Sequence, residues 1–189
     1  MSKSHRAKPS NQVRIIGGDW RGRKLQFPSI EGLRPTPDRV RETLFNWLSP
    51  HIAGAHCLDL YAGSGALGFE ALSRGARNCC FIDNNKQVHA ALGSSVQALN
   101  CEDRATVMLA DSGSAITLHH SIDLVFLDPP FASQLLSSTL DWLLTSPSTH
   151  PDTLIYIEAP KGHELPACNL SVIKEKAAGE VMSRLVGIS

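Results

Sequence analysis

Residues 56–68 read HCLDLYAGSGALG and join an apolar run to a glycine-rich turn and to the start of a second apolar segment. Glycines at positions 63, 65 and 68 form a G-x-G-x-x-G pattern, which is typical of a tight turn that lets a ligand approach backbone amides. The pattern indicates a ligand-binding turn only when it lies between a strand and a helix. The flanking residues predict a strand over 56–61 and a helix over 67–74. The stretch therefore predicts the first βα unit of an α/β fold.

A strand-helix alternation continues along the chain from this turn. The predicted strands are 56–61, 78–82, 105–109, 122–127 and 153–157, and the predicted helices are 67–74, 86–99 and 134–144. Two last strands, 170–175 and 181–188, are predicted to form a hairpin. Such alternation is typical of a mostly parallel sheet with helices on both faces.

The N-terminal part has a different pattern. Short strands over 13–16 and 24–27, joined by a glycine-rich loop, predict a β-hairpin. Thr36-Pro37-Asp38 predicts a helix start in which the Thr36 hydroxyl caps the helix and proline takes the first position. We expect a flexible basic tail over residues 1–11, the hairpin and its following loop over 12–35, and the main domain over 36–189.

Basic residues are concentrated at this end of the chain. Residues 1–41 hold ten Lys and Arg against three acids, although Lys+Arg and Asp+Glu are equal at 18 each over the whole chain. A basic segment on an acidic body predicts a phosphate-rich partner that touches one end of the protein. The candidate contacts are Arg14, Arg21, Arg23, Lys24, Arg34, Arg39 and Arg41.

Composition excludes several protein classes. The chain has 189 residues, 42% of them hydrophobic, which suffices for a core without disulfides. Its five cysteines contain no C-x-x-C pair, its histidines lack metal-site spacing, and no apolar run approaches the ~18 residues of a membrane span. The N-terminus has no apolar core and is not a secretory signal. We expect a soluble cytoplasmic protein without a metal.

Three acids stand at successive strand ends. Asp59 lies inside the first strand, where a nicotinamide fingerprint has an apolar residue, and it could orient the loop and accept from an ammonium group. Asp83 is placed for ribose hydroxyls and Asp111 for the edge of an adenine. Such acids suit a cationic sulfonium cofactor better than a pyrophosphate. Alternatives are a helix cap for Asp83 and a turn for Asp111. The candidate cofactor residues are Asp59, Tyr61, Ala62, Gly63, Ser64, Gly65, Asp83, Asn84, Asp111 and Ser112.

Asp128-Pro129-Pro130-Phe131 follows the fourth strand of the alternating part. Prolines lack amide donors and stiffen the chain, so the Asp128 carboxylate and the Pro129 carbonyl remain as acceptors. Their complement is a planar –NH2 group, against which Phe131 could stack. These four residues are the candidate catalytic residues, and the alternative is a strand that merely ends at prolines.

The motif resembles the [DN]-P-P-[YFW] signature of S-adenosylmethionine-dependent methyltransferases that act on amide or exocyclic nitrogens. The stretches 14–25, 33–48 and 57–76 resemble the bacterial 16S rRNA guanine-N2 methyltransferase D family. The resemblance implies a seven-stranded class I methyltransferase sheet with an antiparallel C-terminal hairpin and a small RNA-binding N-terminal hairpin. It also implies S-adenosylmethionine as cofactor, a monomer, and methylation of guanine 966 of 16S rRNA in the small ribosomal subunit or its assembly intermediate.

Other functions remain open on the residues alone. The glycine pattern with Asp83 also fits a nicotinamide-dependent oxidoreductase, although Asp59 and the two prolines disfavour it. DNA adenine-N6 and protein glutamine-N5 methyltransferases share the proline motif. An RNA-binding assembly factor could keep the fold without catalysis.

Overall fold

A computed structural model of the chain describes residues 11–111, 118, 120–130, 135–165 and 169–188. The helices are α1 (Asp38–Leu48), α2 (Ala66–Ser73), α3 (Lys86–Leu99) and α4 (Leu135–Thr145). The strands are β1 (Gln12–Arg14), β2 (Lys24–Gln26), β3 (His56–Leu60), β4 (Asn78–Asp83), β5 (Ala105–Leu109), β6 (Leu124–Leu127), β7 (Leu154–Pro160), β8 (Leu170–Ala178) and β9 (Val181–Ile188). The predicted order of elements is confirmed.

Seven strands form one sheet in the order β5-β4-β3-β6-β7-β9-β8. Neighbours from β5 to β7 are parallel, whereas β9 is antiparallel to both β7 and β8. The order reverses between β3 and β6, and ligands of such sheets bind at the carboxyl ends of the strands beside a reversal of this kind. This is the class I methyltransferase arrangement, so the predicted fold class is confirmed.

Two apolar cores cover the faces of the sheet. One face packs against α1, α2 and α3 through residues such as Phe45, Phe69 and Leu92, and sheet residues such as Phe126 and Tyr156 belong to it. The other face packs against α4 through side chains that include Leu140. Asp59 follows Cys57 of the first face by two residues and Glu158 follows Tyr156 by two, so both acids point to the face covered by α1 and α2.

The N-terminal hairpin shares the core of the main domain. Val13 and Leu25 pair across β1 and β2, and with Ile15 they are buried among residues of α1 and α2. The predicted boundary between residues 35 and 36 therefore does not separate two cores. Because an isolated two-stranded hairpin is marginal in water, this packing is what holds β1 and β2 together.

The loop that joins β1 to β2 is attached to the C-terminal end of α2. The Asp19 backbone amide donates to the Ser73 carbonyl at 2.8 Å, and the Trp20 backbone amide donates to the Ser73 hydroxyl at 2.9 Å. Gly18 has a φ of +73° and lies so near that a β-carbon there would stand 1.8 Å from the Ser73 carbonyl oxygen. Since α2 runs back from the carboxyl edge of the sheet, this loop lies towards the opposite edge, away from β6's carboxyl end.

The start of α1 differs from the prediction. Pro37, not Thr36, occupies the N-cap position, and no side chain caps the helix. The Thr36 side chain instead hydrogen-bonds Glu158, which lies inside β7. A buried carboxylate outcompetes the helix terminus for this hydroxyl, because an unpaired charge inside the protein costs more than an uncapped amide that water can reach.

The prediction that Arg41 contacts phosphate is wrong, because this residue lies on the inner face of α1 and its side chain is fully buried. The guanidinium is paired with Asp38 at 2.5 Å and with Glu70 at 3.3 Å, and it donates to the Thr36 carbonyl at 3.1 Å. Glu70 is itself buried and also accepts from Arg74, at 2.7 Å, and from the Ile16 amide, at 2.8 Å. This network ties the hairpin, α1 and α2 into one unit.

Within the described part of the chain, no helix has the length and apolar character that crossing a membrane requires. In the same residues no three His, Cys, Asp or Glu side chains converge as a metal site would need.

Candidate active site

The turn after β3 is held by two carboxylates. Asp59, buried within β3, accepts a hydrogen bond from the Gly68 amide at 2.9 Å through Oδ2. Asp83, at the end of β4, accepts from the Gly63 amide at 3.0 Å, also through Oδ2. Gly68 lies in the first turn of α2, where amides have no partner within the helix, so Asp59 orients the start of this helix as well as the loop.

The glycines have distinct structural reasons. Gly63 and Gly65 have φ values of +52° and +71°, a region that favours glycine. At Gly68 the reason is space, because a β-carbon would lie 2.3 Å from the Phe81 ring of β4. Gly63 faces Leu33 of the loop before α1, whose Cδ1 would be 2.8 Å from a β-carbon at that position. The loop between β2 and α1 thus covers the glycine turn.

Tyr61 adopts a left-handed backbone conformation, with φ of +59°, directly after β3. For a bulky residue this conformation is unfavourable, and strain of this kind concentrates at functional sites. The Tyr61 hydroxyl lies 2.8 Å from the Thr139 hydroxyl of α4, which fixes the ring from the other face of the sheet. Ala62 and Ser64, also predicted for the cofactor, are buried beside it.

Asp83, Asn84 and Asp111 come together at the next two strand ends. Asp83 Oδ1 accepts from the backbone amide of Asn85 at 2.9 Å. The side-chain amide of Asn84 donates to the Asp111 carboxylate at 2.8 Å. The helix cap is Asn85, whose side chain accepts from Gln87 and Val88. The cap alternative for Asp83 is therefore not supported, and each of its oxygens keeps a second lone pair. Ser112 lies outside the described residues.

Asp128, directly after β6, lies beside Glu158, which is inside β7. Leu127 pairs with Ile157 in the register of these strands, and the two acids are the next residues. Pro129 is buried and Pro130 is exposed. Phe131, the fourth residue of the predicted catalytic motif, lies outside the described residues. In β3, Leu60 pairs with Leu127, which places Tyr61 beside Asp128 at the reversal of strand order.

Burial raises the pKa of three acids of the site, and neighbouring charges add to this for two of them. Burial raises the pKa of Asp59 to about 8, against the hydrogen bond from Gly68 and with help from the Asp83 charge. Burial, followed by the charges of Glu158 and Asp59, raises the pKa of Asp128 well above its ordinary 3.8. Burial also raises the pKa of Glu158, although hydrogen bonds from Tyr156 and Thr36 oppose it. A positive charge placed among these carboxyls would favour their ionised forms.

The predicted phosphate contacts divide into three groups. Arg21, Lys24, Arg34 and Arg39 are exposed, and their side chains form no ion pair with any described residue. Arg14 is exposed but paired with Asp38 at 2.8 Å, and Arg23 donates to the Ala98 carbonyl at 2.6 Å. Arg41 is buried, as described above. Arg21 and Arg23 lie on the loop at the C-terminal end of α2, whereas Arg34 and Arg39 flank Thr36 near Glu158.

Sequence reasoning missed Glu158. Its signal is an acid at the end of the otherwise apolar run Ile155-Tyr156-Ile157, in the strand that follows the Asp-Pro-Pro motif. The same pattern drew attention to Asp59. Glu158 accepts from the Tyr156 hydroxyl at 2.9 Å, and Tyr156 also hydrogen-bonds Ser183 at 3.1 Å.

Comparison with known proteins extends these observations. Residues 13–187 match the family model described as conserved hypothetical protein 95. The chain is 46% identical to the ribosomal RNA small subunit methyltransferase D of Escherichia coli, over 93% of this chain and 90% of that one. It is 42% identical to the protein of the same name from Haemophilus influenzae, over 98% of both chains.

Solved structures agree with this likeness. An Escherichia coli protein described provisionally as a methyltransferase superimposes with a TM-score of 0.85 at 44% identity, covering 95% of this chain and 99% of that one. Methyltransferases of this fold use S-adenosylmethionine as the methyl donor. The folded sheet, the acids beside the glycine turn and the extent of the likeness lead to one conclusion: this chain belongs to the ribosomal RNA small subunit methyltransferase D family.

Proposed function

We propose that this chain methylates the exocyclic N2 amine of guanine 966 in the 16S rRNA of the small ribosomal subunit or its assembly intermediate. The relatives' name supports ribosomal RNA of the small subunit as the substrate. The observation that carries the choice of an amine is Asp128-Pro129-Pro130 at the reversal of strand order, beside Tyr61. Family membership favours methyl transfer over the oxidoreductase alternative.

The residues around the glycine turn fit S-adenosylmethionine. Asp83 and Asp111 offer carboxylate oxygens at the edge of the sheet, which would accept hydrogen bonds from the ribose hydroxyls and from the adenine amine. Asp59 and the turn of Gly63 to Gly65 would hold the amino-acid end. The cofactor carries positive charge on its ammonium and sulfonium groups, and this charge would favour the ionised forms of Asp59 and Asp128, whose pKa values are raised by burial. The cofactor supplies an activated methyl group bonded to a positively charged sulfur.

Asp128 and the Pro129 carbonyl would position the target amine. The guanine N2 lone pair is delocalised into the ring, so the amine is a poor nucleophile. Two acceptors that receive hydrogen bonds from its two N–H groups would favour a tetrahedral nitrogen whose lone pair points out of the ring plane. Positioning of this kind can lower a barrier by about 7–11 kcal/mol. Asp128 must be ionised to serve as an acceptor on both oxygens, and a cation nearby would lower its raised pKa. The same carboxylate would take the released proton.

The target base has to leave its stack to reach a pocket at the strand ends. The exposed cations Arg21, Lys24, Arg34 and Arg39 would bind phosphates around it. Arg34 and Arg39 flank Thr36, whose side chain bonds Glu158, so these two would hold the RNA nearest to the reacting base. Arg21 lies towards the opposite edge of the sheet and would contact a more distant part of the substrate.

The direct test is Asp128→Ala, with small subunits isolated from cells that lack this protein as the substrate. We expect methyl transfer to fall at least 100-fold while S-adenosylhomocysteine still binds in calorimetry. The matched control is Asp152→Ala, since Asp152 is an exposed acid in the turn before β7, at the opposite edge of the sheet.

Methylated nucleotides in 16S rRNA would then be mapped by mass spectrometry of nuclease fragments. A methyl group on N2 of guanine 966 that depends on Asp128 is the expected result. Near-normal activity of Asp128→Ala would remove the proposed role of this carboxylate. Methylation at another atom or nucleotide would contradict the proposed specificity.

A further inference from the structure

A cleft separates α1 from the hairpin of β8 and β9. It has a volume of about 360 Å³. Its α1 wall is formed mainly by Arg39, Thr43 and Trp47, which follow one another at intervals of four residues and therefore share a helix face. The opposite wall is the end of β8 from Lys176 onwards.

The register of the sheet connects this cleft to the site. Glu158 pairs with Ser183, and Ser183 pairs with Lys176. Asp128, Glu158, Ser183 and Lys176 consequently form one row across β6, β7, β9 and β8. Strands are spaced by about 4.8 Å, so Lys176 is roughly 14 Å from Asp128 and the Ser183 floor of the cleft is about 10 Å away.

The lining combines an aromatic side chain with positive charge. Trp47 is only partly buried, and Arg39 is exposed at the end nearer Thr36. The Lys176 ammonium donates to the Thr43 hydroxyl at 3.2 Å, and Thr43 in turn donates to the Arg39 carbonyl at 3.0 Å. Among the described residues, those that line the cleft include two cations and no carboxylate. Stacking surfaces beside cations are the chemistry by which proteins hold single-stranded nucleic acid.

We propose that this cleft binds a nucleotide of the substrate RNA that flanks the methylated guanine, with its base against Trp47 and its phosphate held by Arg39 and Lys176. The inference rests on the proposed function, because it takes the substrate to be RNA. A flipped base separates from its neighbours, and a second pocket about 10 Å along the sheet would hold a neighbour while the target enters the site. The hydrogen bond between Lys176 and Thr43 joins the two walls of the cleft.

The test compares Trp47→Leu and the double variant Arg39→Gln/Lys176→Gln with Arg77→Gln, using under-methylated small subunits. Arg77 is an exposed cation just before β4, at the opposite edge of the sheet. We expect the KM for subunits to rise about tenfold in the double variant and several-fold in Trp47→Leu, with little change in kcat. The dependence of log KM on log salt should weaken by about 0.7 for each lost phosphate contact. Calorimetry with S-adenosylhomocysteine and the melting temperature show that each variant is folded.

A photocrosslinker at position 43 identifies the occupant directly. In complexes with purified small subunits, we expect a crosslink to 16S rRNA near the methylated guanine. A crosslink to a ribosomal protein, or a KM and salt dependence equal to those of Arg77→Gln, would overturn the inference. If the wild-type protein methylates no guanine of 16S rRNA, the proposed function itself fails. If the wild-type enzyme methylates this RNA and the cleft variants behave like it, only the inference about the cleft fails.

Discussion

The amide of Gly68 donates a 2.9 Å hydrogen bond to a carboxylate nine residues earlier, Asp59, which is buried inside β3. This bond connects the strand to the first turn of α2 from beneath the glycine turn. Asp59 thus has a structural task whether or not a ligand is bound, and its pKa of about 8 shows that burial of its charge is unfavourable in the free protein. The two properties can be separated by substitution.

Asp59→Ala should destabilise the protein by about 1–3 kcal/mol at pH 5, because the buried Gly68 amide loses its acceptor. Asp59→Asn keeps an oxygen in the same place and should lose much less. The free energies of unfolding come from urea denaturation. Equal stability of the two variants would show that the hydrogen bond contributes nothing.

The pH dependence of stability should follow the acids of the site. Folding raises the pKa of Asp59 from 3.8 to about 8, so in this range the folded state binds more protons than the unfolded state. The free energy of unfolding of the free protein should therefore fall as pH rises from about 4 to about 8. Asp128 and Glu158 act with the same sign, since their pKa values are raised too.

Urea denaturation at several pH values between 5 and 8.5 checks this dependence. Asp59→Asn should show a flatter curve and, at pH 8, should be more stable relative to the wild type than it is at pH 5. Curves of the same slope for both proteins would contradict the raised pKa of Asp59.

Arg41→Met should destabilise the protein by about 3 kcal/mol, because it leaves the buried Glu70 carboxylate with one cation fewer. The salt dependence of RNA binding should stay unchanged, since Arg41 has no access to a phosphate. Arg34→Gln is the matched variant: we expect little loss of stability and a weaker salt dependence. Thermal unfolding and filter binding at several salt concentrations distinguish the two. A reduced salt slope for Arg41→Met at a temperature where it is folded would contradict its structural role.

Gly18→Ala should detach the loop between β1 and β2 from α2. Its β-carbon would meet the Ser73 carbonyl, and its φ of +73° disfavours any side chain. Gly22→Ala is the control, with a φ of +85° and open space around it, and should cost only the ~1–2 kcal/mol of a left-handed alanine. Limited proteolysis of the hairpin and the melting temperature should both show a larger effect at position 18. Similar effects at both positions would mean that the contact with Ser73 is unimportant.

Local patterns predicted the framework well. The bounds predicted for α3 and β5 agree with the structure. In α3 the signal was Val88, Leu92, Val96 and Leu99, which repeat at helical spacing and are all buried. Asp59 was found from its position inside an apolar strand, where a charge has no local explanation, whereas Glu158 in β7 was missed. β6 begins two residues later than predicted, since the Ile122 amide bonds the Ser148 carbonyl instead of a neighbouring strand.

Long-range pairing set the limit of prediction. Arg41 and Arg34 look alike in the sequence, and only the fold brings Glu70, 29 residues later, beneath Arg41. Thr36 has the right chemistry for a helix cap, but Glu158 reaches it from the far end of the chain. The sequence also did not predict that the N-terminal hairpin is attached to the main domain, because the acceptors for its loop lie far along the chain on α2 and α3.

The attachment of the N-terminal hairpin has a consequence for how the protein is made. The partners of the hairpin are Ser73 and Ala98, 53 and 75 residues further along the chain. At a synthesis rate of about 5–20 residues per second, the hairpin leaves the translating ribosome roughly 3–15 s before these partners leave it. During that interval the nascent segment carries its apolar side chains and its cations without a surface to dock on. The hairpin can therefore dock only after α2 and the end of α3 have been synthesised.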